Sequence, residues 1–187
     1  MFTLRLAISD DTPNLRELIQ RSVRGLSAGY YSEQEIESAL IHIFGPDTAL
    51  IDDGTYAVIE AGSVLAAAGG WSRLSTLCGG DQLKSGSESR LDPARDAARI
   101  RAFFVHPDFA RRGLGRMLYT WCEGQARDAG FRRFELIATL PGEPLYSALG
   151  FEPVERYALP MSNGVDLPVV RMVRAIEGAK EEARAST

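Results

Sequence analysis

Val105-His106-Pro107-Asp108-Phe109-Ala110-Arg111-Arg112-Gly113-Leu114-Gly115-Arg116 is the stretch on which the reading of this chain turns. An apolar run at 100–105 leads into it, and an amphipathic segment at 114–129 leads out. The pattern predicts a strand, a short turn rich in glycine and arginine, and then a helix start. Such a turn suits a phosphate. The first backbone N–H groups of a helix have no intrahelical partner, and the helix dipole places partial positive charge beside them. Gly113 and Gly115 remove side chains that would keep a ligand from those amides. Arg111, Arg112 and Arg116 add formal charge around them. Taken alone, Gly-x-Gly also describes an ordinary strand–helix connection, and the arginine pair also reads as solvated surface.

The downstream segments add to this. Gly130-Phe131 closes the predicted helix, and residues 132–138 read as another strand. Glu143-Pro144-Leu145-Tyr146-Ser147-Ala148-Leu149-Gly150-Phe151-Glu152-Pro153 follows. In this order the segments resemble the GNAT superfamily of acyl-CoA-dependent N-acyltransferases. That family is marked by a strand, a Gln/Arg-x-x-Gly-x-Gly/Ala pyrophosphate turn, a helix, a strand, and a short helix with Leu-Tyr before Leu-Gly-Phe. The resemblance spans residues 100–153.

The resemblance implies an α/β (α+β) fold. Its central sheet would be mixed and mostly antiparallel, with about six to seven strands and about four helices on both faces. It implies acetyl-CoA as acyl donor, no metal, and a small-molecule or peptide amine as acceptor, attacked directly in a ternary complex. Carried over by position, Phe103, Phe104 and Val105 form the strand whose free backbone groups pair with the pantetheine arm. Arg111, Arg112, Gly113, Leu114, Gly115 and Arg116 form the pyrophosphate turn. Tyr146 matches the tyrosine that donates a proton to the coenzyme A thiolate, a role open to a phenol because it is protonated at neutral pH. An inward-facing core tyrosine is its plainer reading, since Leu145 and Leu149 flank it. Thr139 stands where many relatives carry an asparagine that contacts the pantetheine arm. Ala110 departs from the family, which usually has Gln or Arg there, so a side-chain contact from that position is in doubt.

Many members place a glutamate base in the cofactor strand or beside it. Here the early strand positions hold Arg99 and Arg101, which cannot accept a proton. Glu60, Glu33, Glu35 and Glu135 are the alternatives, and the sequence does not single one out. For the acceptor pocket, Tyr30, Tyr31, Trp71 and Phe104 are candidates for an aromatic wall, although aromatic residues are core by default. Arg73 and Arg101 are candidates to pair with an acidic acceptor, which points to a small metabolite or amino-acid-like amine.

The rest of the chain bounds these readings. At 187 residues, 45% of them apolar and 25% charged, it fits one domain with a sizeable core. We expect that domain at residues 1–176 and a polar tail at 177–187. A net charge of −4 argues against nucleic acid as a partner. No run of 18 or more apolar residues predicts a membrane span, and no signal peptide is visible at the start. The two cysteines make neither a disulfide framework nor a metal cluster, and two isolated histidines suggest no zinc site. Cys122 has the helical spacing of a core thiol, whereas Cys78 sits in a glycine-rich stretch. A cytoplasmic location is the expectation.

Alternation predicts an opening strand at 2–8, a hairpin over 55–60 and 64–71, and late strands at 154–159 and 167–173 around an Asn163-Gly164 turn. A proline-led helix follows Thr12, and Ser32 with Glu35 forms a capping box for a second. Residues 73–98 lose periodicity and read either as an acceptor-site lid or as plain disorder. The late strands offer edges for a homodimer. Two other functions remain open. One is an acyl-CoA-sensing module without turnover, favoured by the missing glutamate. The other is a nucleotide on an unrelated turn, although the chain lacks both the Gly-Lys-Ser/Thr ending of a P-loop and the three-glycine dinucleotide spacing.

Overall fold

The computed structural model describes residues 1–83 and 88–176. The expected tail at 177–187 and the centre of the expected loop at 84–87 lie outside the described residues. Seven strands form one sheet: β1 (Phe2–Leu6), β2 (Tyr56–Ala61), β3 (Val64–Ser72), β4 (Ala98–Val105), β5 (Arg133–Thr139), β6 (Glu152–Pro160) and β7 (Asp166–Ala175), in the order β1-β2-β3-β4-β5-β7-β6. Every neighbouring pair is antiparallel except β4 and β5. The parallel pair is the one that a strand–helix–strand crossover demands.

Helices cover both faces. On one lie α1 (Thr12–Ser27), α2 (Glu33–His42) and α3 (Thr48–Asp52); on the other lie α4 (Leu114–Asp128) and α5 (Glu143–Ala148). Helix α1 has Pro13 in its first turn, where the missing N–H costs nothing. It turns Leu15, Leu18, Ile19 and Val23 onto the sheet. The capping box of α2 is formed: Glu35 N–H donates to Ser32 Oγ, and Ser32 N–H donates to Glu35 Oε2 at 2.7 Å. Across the sheet, Tyr119, Cys122 and Ala126 of α4 pack against Phe134 and Leu136 of β5. Gly130, at φ 90°, ends that helix in the left-handed conformation.

The structure adds one helix to the four expected. The five-residue α3 follows the Gly45-Pro46-Asp47 break and is too short to show a helical period. The aperiodic stretch before β4 also carries structure. Leu74 bridges Arg90, Asp81–Leu83 forms a 3-10 turn, and Leu91 is buried. Among the described residues no helix is long and apolar enough to cross a membrane.

Candidate active site

The site begins as a defect in the sheet. Strands β4 and β5 pair only at Ala98 with Phe134 and Arg99 with Glu135, and beyond those residues they part. A bulge in β4 contributes to the divergence: Ala68 faces Phe104, but Gly70 faces Arg101, so Ala102 and Phe103 lie opposite a single residue of β3. Ala102 takes a left-handed φ of 54°, and the Tyr56 hydroxyl donates to its carbonyl at 2.9 Å. Gly69 makes the bulge possible, since a Cβ there would stand 2.3 Å from the Phe103 ring.

The gap opens onto the arginine–glycine turn. His106 Nδ1 accepts the Asp108 amide at 3.2 Å and starts a single 3-10 turn, Pro107–Phe109. Arg111 (φ 62°) and Gly113 (φ 81°) are both left-handed, and Gly113 caps α4 without a side-chain hydrogen bond. The first-turn amides of Leu114, Gly115 and Arg116 are therefore left for a ligand, in a concave array suited to an anion. The two glycines do different work. Around Gly113 a Cβ meets nothing within 4 Å, so only its backbone conformation calls for glycine. At Gly115 a Cβ would stand 2.6 Å from Leu145, so this glycine lets α4 and α5 approach.

A cavity of about 690 Å³ runs through the gap. Of the residues singled out in the sequence, it collects Phe103, Phe104, Val105, Arg111, Gly113, Leu114, Gly115, Arg116, Thr139 and Tyr146, together with Tyr30 and Arg101. Tyr146 is 8% exposed and packs against Phe103 and Phe151, with ring centroids 6.2 and 5.6 Å away. Burial pushes its phenol above the usual tyrosine range, so the hydroxyl stays protonated. Thr139 Oγ1 accepts the Gly142 amide at 3.3 Å and shapes the turn into α5.

Other candidates stand apart from the cavity. Arg112 stacks on Phe109, its guanidinium carbon 5.5 Å from the ring centroid. Trp71 is buried against Phe131 on the α4 face, and Arg73 covers the Trp71 ring at 5.2 Å. The Tyr31 hydroxyl donates to Pro168 O at 2.6 Å and accepts from Leu140 N, which makes it a structural tie. Arg101 lies in the cavity wall but is already matched. Its Nη2 is 2.7 Å from Asp47 Oδ2 and 3.1 Å from Gly79 O, and its Nη1 is 3.3 Å from Glu88 Oε1.

None of the four glutamates considered as base lines the cavity. Glu60 is bound by Arg5 at 2.7 Å, Glu135 by Arg99 and Arg171, and Glu35 closes its capping box; Glu33 is exposed in the first turn of α2. The opposite wall is formed by Ser22, Phe44 and Leu77 to Gly80; the last four belong to the 73–98 stretch read as a lid or as disorder, whereas Ser22 and Phe44 carried no sign in the sequence. That wall is stitched together by Gly80 N–H to Ile43 O at 2.8 Å and Asp81 N–H to Pro46 O at 3.1 Å.

The sequence profile of the Acetyltransferase (GNAT) family matches residues 17–151. The chain belongs to the GNAT acetyltransferase family. No curated protein matches its sequence. Solved structures share its fold at low identity. A GCN5-related N-acetyltransferase from Rhodopseudomonas palustris superposes with a TM-score of 0.68 at 19% identity, over 92% of this chain and 94% of that one. A phosphinothricin acetyltransferase from Sinorhizobium meliloti, solved with AcCoA, gives 0.62 at 20% identity, over 98% and 94%. The PaiA N-acetyltransferase from Thermoplasma acidophilum, solved with coenzyme A, gives 0.61 at 16%, over 94% and 99%.

Proposed function

We propose that this GNAT-family chain binds acetyl-CoA across the β4–β5 gap and transfers its acetyl group to a primary amine in a ternary complex. The observation that carries the reading is the junction of that gap with the uncapped first turn of α4. The turn amides and the Arg111 and Arg116 side chains suit the donor's phosphates. The edge of β4 beyond Arg99, unpaired with β5, suits an amide-bearing arm up to Val105, whose own amide is held by Ser22 Oγ. Acetyl-CoA supplies the activated thioester; the chain supplies position and a proton.

The amine nitrogen attacks the thioester carbonyl, a C–N bond forms, the C–S bond breaks, and the sulfur leaves with the bonding pair. Tyr146 donates its hydroxyl proton to that sulfur and is reprotonated, through solvent, by the proton the attacking nitrogen loses. Burial holds the Tyr146 phenol protonated until the thiolate forms beside it. Titration calorimetry with acetyl-CoA tests the first half. Gly113→Glu places a carboxylate on the turn and abolishes the binding; retained affinity would place the donor elsewhere.

One observation favours a second reading, an acyl-CoA sensor. Among the described residues the cavity wall carries no carboxylate to act as base. Release of free coenzyme A in the presence of amines separates the two, because a sensor binds acetyl-CoA without turnover.

A further inference from the structure

The cavity passes from one face of the sheet to the other. Phe103 faces α5, with its ring beside Tyr146, whereas Phe104 faces α2 and meets Phe44 edge-to-face with centroids 6.0 Å apart. The phosphate turn and Tyr146 belong to the first side. The second side is bounded by Val23 and Leu26 of α1, Tyr30, Phe44, Phe104 and Leu77. Its charges are spoken for: Arg101 lies against Asp47 and Glu88, with Arg101 and Asp47 side chains 1% and 0% exposed. No carboxylate stands in the described wall to meet an ammonium, and Arg111 and Arg116 lie at the phosphate turn.

Resting on the acetyltransferase reading, we infer that the acceptor is a primary amine bearing an aromatic or branched aliphatic group and no carboxylate, with its apolar part between Phe44, Phe104 and Leu77 and its nitrogen in the β4–β5 gap. An acidic amine finds no unmatched cation on that side among the described residues. A polyamine finds no carboxylate among the described residues and would leave cationic charge on apolar surface. A monoamine fares better, because desolvation of the kind that lifts the Tyr146 phenol disfavours an ammonium and favours the neutral nucleophile. The missing base and the apolar wall are then one design. This departs from the sequence expectation of an acidic acceptor, which relied on Arg73 and Arg101: Arg73 lies on Trp71, outside the cavity, and Arg101 is paired with Asp47.

The test titrates 2-phenylethylamine, glutamate and spermidine into the protein saturated with coenzyme A, and follows turnover of the same amines with acetyl-CoA by thiol release. The expected result is that 2-phenylethylamine binds about tenfold or more tighter than glutamate or spermidine, the difference a buried ring supplies. Phe44→Ala erases that preference and leaves acetyl-CoA affinity unchanged, since Phe44 is on the far side of the sheet from the phosphate turn. Equal or tighter binding of glutamate or spermidine overturns the inference, as does a preference for the ring that survives Phe44→Ala. Failure of the acetyltransferase reading looks different: acetyl-CoA does not bind, or no amine is acetylated, whatever order the amine affinities take.

Discussion

The Tyr31 hydroxyl accepts the Leu140 amide at 2.8 Å while donating to Pro168 O at 2.6 Å. One phenol thus joins the segment after α1 to the end of β5 and the start of β7. Burial raises it to about 12, so it remains a donor throughout the working pH range. Tyr31→Phe leaves a backbone amide and a carbonyl without their partner in a half-buried site, and should cost about 1–3 kcal/mol. Urea unfolding monitored by fluorescence reads this directly; an unchanged midpoint would show that water replaces the hydroxyl.

Tyr146→Phe keeps the ring among Phe103 and Phe151 and removes only the hydroxyl that carries the proton. We expect kcat to fall about a hundredfold, with acetyl-CoA affinity within about twofold of the parent. Steady-state kinetics and calorimetry on one preparation separate the two effects. Equal kcat would relegate Tyr146 to packing.

The raised phenol also sets the alkaline limb. A tyrosine of ordinary pKa begins to lose its proton near about pH 10, whereas a raised one stays neutral there. The rate with an alkylamine should therefore climb with amine deprotonation and hold level to about pH 10, without the descending limb of an ionising acid. A profile that falls above about pH 9 would mean that the acid is another group or that the phenol is not buried in the complex.

Gly113→Ala and Gly115→Ala should differ in kind. The first strains a left-handed residue by about 1–2 kcal/mol and tilts the turn amides, so acetyl-CoA binding weakens. The second drives a methyl group against Leu145 at 2.6 Å and should act mainly on stability, by about 1–3 kcal/mol. Thermal melts with and without acetyl-CoA show whether each loss lies in the protein or in the complex.

Far from the cavity, Arg5 bonds both Asp11 and Glu60. Its hydrogen bonds, more than any other cause, hold the Asp11 carboxyl below the usual range. A depressed folded-state pKa adds stability above the unfolded value, about 3.9, which is lost as pH falls through the folded value. Asp11→Asn should lower stability at neutral pH and flatten the loss between about pH 5 and pH 2, as seen in urea midpoints across that range.

The turn and its flanking elements were legible in the sequence because they are contiguous. The apolar run into β4, the glycine turn and the period of α4 lie side by side in the chain, and each is a local rule. The far wall showed only as the aperiodic stretch around Leu77, because Ser22 of α1, Phe44 after α2, Leu77 and Arg101 of β4 meet only through tertiary packing. Trp71 misled for a related reason. Strand β3 is buried on both faces from Leu65 to Ser72, so alternation carries no sign of which face looks into the cavity. Arg101 pointed to an acidic acceptor only while Asp47, distant in sequence, was unplaced beside it.

The parting of β4 and β5 gives the molecule a mechanical character. The sheet divides into two plates, β1 to β4 on one hand and β5, β7 and β6 on the other, joined at Ala98–Phe134 and Arg99–Glu135 like the closed end of a pair of tongs. One brace spans the open end: Ser22 of α1 takes the Val105 amide of the first jaw at 3.1 Å, and Tyr31, just past the same helix, grips Leu140 and Pro168 of the second. Both jaws are thereby tied to α1 and the turn that follows it, so the open end is held from one side of the sheet.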